Sequence, residues 1–270
     1  MFDLLSTLDA DAAAGVASRR RALHTVGKIG LGAAAASIPF LKPSVAFAQS
    51  GGNTAFEVLN YALTLEYLER SFYRQALDMN YLSTARPLVE TIEADETAHV
   101  ALLRGAIEAA GGDPVDYEDA DFTFGDFLSS YDNFLALAQS LEDTGVRAYK
   151  GQAGAIQGTD YLTTALQIHS VEGRHAAAIR RLRGNQGWIP LDQPGAPVPA
   201  VYGAGNGFPA EDNVTQGGVD LAGALTGYTR QEITEAFDEG LDMETVLGIA
   251  GGFITGNKDQ DDDGDGSDNN

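Results

Sequence analysis

The chain has no cysteine among its 270 residues. That excludes disulfides, thiolate metal sites and iron–sulfur clusters, and leaves carboxylate and imidazole as the strong metal ligands. Tryptophan occurs once and methionine three times. Lysine is nearly absent beyond position 48, where only Lys150 and Lys258 occur. No apolar run reaches the roughly 20 residues needed to span a bilayer as a helix. The uncharged apolar stretch that follows Lys28, Ile29–Leu41, falls well short of that length.

What is abundant is negative charge. The formal net charge is −22. The segment 1–48 carries five Lys/Arg against three Asp/Glu, a net of +2, so the rest of the chain carries −22 − 2 = −24. Such a surface repels nucleic acid and anionic lipid, and no nucleic-acid partner is expected. Abundant Asp with little Lys suits a saline environment, and a GC-rich genome that writes Arg for Lys gives the same composition. Hydrophobic residues make up 44% of the chain, enough to bury a core.

The segment 1–48 looks like a targeting signal. Arg19-Arg20-Arg21 precedes the short apolar run, and Ala46-Phe47-Ala48 supplies a small-x-small cleavage site. The arginine cluster and weak hydrophobicity resemble a twin-arginine signal, although Ala22 stands where such signals prefer Phe. The expectation is cleavage after Ala48, a periplasmic or extracellular location and no stable membrane insertion.

Four segments beyond it show helical periodicity: about Thr54–Met79, Ala85–Ala110, Phe124–Ile156 and Asp160–Leu182. Pro87 suits a first turn, Gly111-Gly112-Asp113-Pro114 a stop, Thr159 an N-cap and Gly184 a C-cap. Short links join the first to the second helix and the third to the fourth, which favours two antiparallel hairpins. The link from Gly111 to Thr123 is long enough to cross a bundle. The stretch 184–228 is rich in Gly and Pro and reads as an ordered loop. A fifth helix, about Arg230–Phe253 with a break near Gly240, follows. The resulting domain plan is a signal over 1–48, a four-helix bundle over 54–183, loop and C-terminal helix over 184–256, and an acidic disordered tail over 257–270.

Two Glu-x-x-His pairs carry the chemistry, Glu96/His99 and Glu172/His175. Positions i and i+3 share a helix face, so each pair can grip one metal ion. The offset between the pairs is 172 − 96 = 76, and the same offset relates Glu66 to Glu142, Tyr73 to Tyr149, Leu65 to Leu141 and Arg104 to Arg180. Each half therefore presents one Glu and then Glu-x-x-His at the same spacing, 96 − 66 = 172 − 142 = 30. The pairing selects Glu66 over Glu69, because position 145 is Gly. Buried carboxylates are costly unless paired or metal-bound, and two divalent ions would balance four of them in charge.

One Glu from each of two helices and Glu-x-x-His from each of the other two resembles the ligand set of ferritin-like di-iron carboxylate proteins. Over about 54–254 the chain is similar to exported ferritin-like proteins of the desiccation-related type. The resemblance implies an all-α ferritin-like four-helix bundle with two iron ions, or alternatively manganese. Glu96 and Glu172 would bridge, Glu66 and Glu142 would be terminal, and His99 and His175 would bind one ion each. Tyr73 and Tyr149 would stand behind the ligands as candidate catalytic residues or simply as core tyrosines. Oxygen or peroxide would be the small-molecule substrate of a possible oxidoreductase, and an oligomer is possible. A stress-related metal-binding or structural protein without turnover is the alternative.

Weaker signals remain. His169 lies one helical turn before Glu172, and Asp95 could orient a ligand imidazole. Asp259-x-Asp261-x-Asp263-Gly264 matches half a calcium loop but lacks its closing Glu. Glu232, Glu235, Asp238, Glu239, Asp242 and Glu244 read as an exposed face.

Overall fold

The computed structural model describes residues 54–255 apart from Pro194 and Thr226. The segment 1–48, read above as a targeting signal, and the acidic tail with its half calcium loop lie outside the described residues. Four long helices carry the fold: α1 (Ala55–Leu77), α2 (Arg86–Ala109), α3 (Tyr131–Gln152) and α4 (Tyr161–Leu182). α1 packs on α2, α3 packs on α4, and α1 meets α3 at the centre.

Local chemistry sets the helix ends. Thr54 and Glu57 form a reciprocal capping box at the start of α1. Pro87 occupies the first turn of α2, where its missing N–H costs nothing. Ser130 accepts the Asn133 N–H and starts α3, so this helix begins later than its periodicity suggests. The preceding Gly125–Leu128 forms a separate 3-10 turn. At α4 the N-cap position falls on Asp160, with no side-chain cap, because the Thr159 hydroxyl donates to Ile156 O instead. Gly184 ends α4 at φ +75°. The amides of Gly184 and Asn185 bond back to Arg181 O and Arg180 O, a full Schellman closure.

α2 and α4 bury one stripe each, whereas α1 and α3 are buried on nearly every face. The crossover between α2 and α3 covers α1. Asn60 binds Asp113 O and the Val115 amide, and Ser71 and Gln75 bind Asp119 O. Aromatic packing closes the end of the bundle. Phe72 stacks on Phe134 at 5.3 Å and meets Phe124 edge-on at 5.0 Å. Each such pair adds about 0.5–1.5 kcal/mol beyond the area it buries.

The C-terminal region covers α3. After a small hairpin and the single turn α5 (Leu221–Ala224), the expected fifth helix is two short ones, α6 (Arg230–Thr234) and α7 (Met243–Ala250). The break has a cause. Backbone at Gly240 and Leu241 runs directly against α3 at Gly151, where a Cβ would lie 1.9 Å from Leu241 O. The Leu241 amide donates to Arg147 O at 3.0 Å. Backbone committed to these contacts cannot continue a helix through Gly240.

Arg147 anchors this region. Its fully buried guanidinium donates to the carbonyls of Val201, Gly203, Pro209, Glu239 and Gly240. It also pairs with buried Glu211 at 2.8 Å. One side chain on α3 thus ties together several turns of the Gly/Pro-rich loop.

Candidate metal centre

The middle of the bundle holds an ionisable cluster drawn from all four long helices. Glu66 comes from α1, Glu96 and His99 from α2, Glu142 from α3, and Glu172 and His175 from α4. All six are buried. They form two groups of ligand atoms, each lying within 4.8 Å of one another: Glu66, Glu96, His99 and Glu172 in one, Glu96, Glu142, Glu172 and His175 in the other. Glu96 and Glu172 belong to both, so the two helices with Glu-x-x-His supply the shared carboxylates and α1 and α3 supply one private carboxylate each.

Both imidazoles face the cluster through Nδ1. His99 Nδ1 lies 2.9 Å from Glu66 Oε2, 3.0 Å from Glu96 Oε2 and 3.4 Å from Glu172 Oε1. His175 Nδ1 lies 2.9 Å from Glu96 Oε1 and 3.3 Å from Glu142 Oε2. The Tyr73 hydroxyl, from the first hairpin, donates to Glu142 of the second, and Tyr149 donates in return to Glu66. Outside the cluster, His175 Nε2 meets Asp95 Oδ2 at 3.2 Å.

The donor set fits a metal pair. Both oxygens of Glu172, one oxygen each of Glu96 and Glu142, and Nδ1 of His175 are buried without a well-aligned hydrogen bond, close as His175 Nδ1 comes to two of these oxygens. Each such orphan costs roughly 1–3 kcal/mol, and natural cores satisfy nearly all of them. Cations between the two groups would satisfy all five atoms at once.

The electrostatics of the metal-free cluster show the same strain. Burial, reinforced by Glu96, Glu66 and Glu142, raises Glu172 well above the ordinary carboxylate range. Burial also lifts Glu96 to about 7, against the pull of His175 and His99. For Glu66 burial is outweighed by His99 and by the Tyr149 hydrogen bond, and its pKa falls below the ordinary value. Burial opposes protonation of His99, but Glu66 more than reverses this and raises it to about 11. His175 is raised likewise, by Glu142 and Asp95 against burial. Protons therefore stand in the cluster where cations would.

A seventh buried group, which the repeat comparison passes over, is Glu69. It occupies space left by Gly145, where a Cβ would lie 3.2 Å from Glu172 Oε2 and 3.4 Å from Glu69 Oε1. Burial and then Glu172 and Glu142 raise its pKa well above the ordinary value. A neutral Glu69 would keep the balance of the other four carboxylates against two divalent ions, were these bound. The available signal was the glycine itself, since a small residue facing a long acid in a repeat makes room for it. His169, by contrast, joins neither group. It is half-buried, with Nε2 unbonded, and burial followed by Lys150 lowers its pKa.

Comparison with known families agrees with this arrangement. The segment 54–185 matches the family model described as a ferritin-like domain. The four long helices therefore form a ferritin-like helical bundle, whose buried carboxylate and histidine cluster is compatible with a dimetal site. Among curated proteins, none matches the chain.

Proposed function

We propose that the ferritin-like domain binds two metal ions, most naturally iron, through Glu66, Glu96, His99, Glu142, Glu172 and His175, and reacts with oxygen or peroxide. One observation carries the reading. Two four-membered ligand groups share Glu96 and Glu172 in a buried core, with five polar atoms lacking a well-aligned hydrogen bond. Two redox-active ions that share carboxylates can supply two electrons to one oxidant. The chain's part is to hold and orient them. Tyr73 and Tyr149 fix the private carboxylates by hydrogen bonds, and Asp95 fixes the His175 ring. Glu69 keeps a proton beside the cluster.

Elemental analysis of protein from its native host, followed by oxygen and peroxide consumption with added Fe(II), tests this reading. About two equivalents of metal and rapid turnover support it. Two equivalents without turnover would leave a binding or protective role of the desiccation-related kind. Absence of metal in native and reconstituted protein would end it.

The same reading places the mature protein outside the cytoplasm, with its first residue at Gln49. Arg19-Arg20-Arg21, the Ile29–Leu41 run and Ala46-Phe47-Ala48 support that placement.

A further inference from the structure

One sequence offset, 172 − 96 = 76, relates the two halves of the bundle, and the six candidate ligands obey it without exception. Their surroundings do not. Asp95, one position before Glu96, accepts from His175 Nε2 at 3.2 Å. The equivalent position before Glu172 is Val171, which has no group to offer His99. A second break involves Glu69, whose equivalent is Gly145. Glu69 stands toward Glu172 through the gap that Gly145 leaves. Glu172 is shared between the two ligand groups, so Glu69 does not separate them. The Asp95 contact does, because it falls on the histidine of one group alone.

A carboxylate on the outer nitrogen of a ligand histidine fixes its tautomer and orientation and makes the inner nitrogen more basic. His175 has such a partner and the equivalent position beside His99 has none. On the dimetal reading given above, we infer that the two metal positions are unequal: the one formed by Glu96, Glu142, Glu172 and His175 is the tighter and fills first. The one formed by Glu66, Glu96, His99 and Glu172 is the exchangeable position. Asp95 is the positioning residue that sets the difference, acting through His175.

The test is Co(II) titration of the metal-stripped full chain, followed by visible absorption and calorimetry, with no turnover measured. Wild type should bind two equivalents in two steps at least about tenfold apart. His175→Ala should abolish the tight step and His99→Ala the weak one. Asp95→Ala should weaken the tight step by about 10–100-fold while sparing the weak one. Val171→Asp should strengthen the weak step and narrow the gap. Asp95 is a third exposed, so its loss should leave the metal-free melting temperature almost unchanged, which separates positioning from folding. Two equal steps in wild type, loss of the tight step in His99→Ala, or an Asp95→Ala variant that weakens both steps alike would overturn the inference and leave the dimetal reading intact. Failure to bind Co(II) at all would overturn both.

Discussion

Metal affinity should climb steeply with pH, because each ion must displace protons that the empty cluster holds. His99 titrates near 11 and Glu96 near 7 when no metal is bound. A proton on a group of pKa 11 must leave at every lower pH, so each pH unit multiplies affinity about tenfold. Between about pH 6 and about pH 8 that gives roughly a hundredfold, and release from Glu96 adds about tenfold more. The product is on the order of a thousandfold, or about 4 kcal/mol. Glu172 and His175, both raised, can only steepen the slope. Stability of the metal-free protein should run the other way. Glu96 lies above its ordinary 4.5, so its burial costs increasing stability from about pH 4.5 to about pH 7. The raised His99 stabilises fully below its ordinary 6.5 and loses that contribution as pH rises toward 11. Within the cluster Glu66 opposes this, since its depressed pKa stabilises above 4.5 and is lost on acidification. Calorimetric titration in buffers of different ionisation enthalpy counts the protons released, and melting curves across the same range report the metal-free trend. An affinity flat over these two pH units, with no proton released, would refute the assignment of protons to ligand atoms.

Other outcomes follow from the same geometry. Arg147→Met should destabilise by about 3–5 kcal/mol, the usual effect of leaving one partner of a buried ion pair alone; a urea midpoint within error of wild type would show that the Arg147 network is dispensable. Tyr149→Phe and Tyr73→Phe should keep two metal equivalents but loosen the ion nearest Glu66 and Glu142 respectively, readable as faster loss to a chelator. Glu69→Gln should retain metal and, in the metal-free state at about pH 8, melt higher than wild type, because a carboxyl raised above its ordinary value costs stability at high pH; a lower melting temperature would mean that the carboxyl itself is needed. Mass spectrometry of the native protein should show Gln49 first, and a full-length chain in the membrane fraction would defeat export.

The bundle was legible because periodicity and caps act locally. Leu59, Leu63 and Tyr67 recur every four residues along one stripe, and Thr54 and Gly184 mark ends that the backbone obeys. The ligand cluster was legible because it is written twice, so an internal repeat substitutes for an alignment. The remainder depends on contacts between distant segments. Gly240 marks the break in the fifth helix, but its sequence does not show that the cause is Gly151 on another helix. Arg147 stands in the sequence as an isolated arginine, with no hint that five loop carbonyls will converge on it. Glu69 lacks a partner in the repeat, yet the missing partner is what allows it to be buried.

The repeat also explains how a strained cluster can be held in place before any cation arrives. Each Glu-x-x-His helix carries an arginine at the same repeat position, Arg104 on α2 and Arg180 on α4. Arg104 binds the Tyr67 hydroxyl at 2.6 Å and Asp116 at 2.8 Å. Arg180 binds Asp143, which also accepts from the Tyr202 hydroxyl at 2.6 Å. The chemistry is the same, but the parts are exchanged: the helix supplies Tyr and the crossover Asp in the first half, while the helix supplies Asp and the C-terminal loop Tyr in the second. Tyr67 and Asp143 are themselves repeat equivalents, and each directly follows a private carboxylate, Glu66 or Glu142. Each clamp therefore fixes the spacing of two ligand-bearing helices within a hairpin, directly beside a ligand. The second clamp is buried and the first is half open to water, so the Asp143 pair contributes more to rigidity. Carboxylates that repel one another stay converged because the clamps and the crossed tyrosine bonds oppose their separation, which holds the cluster in a shape that cations would fit.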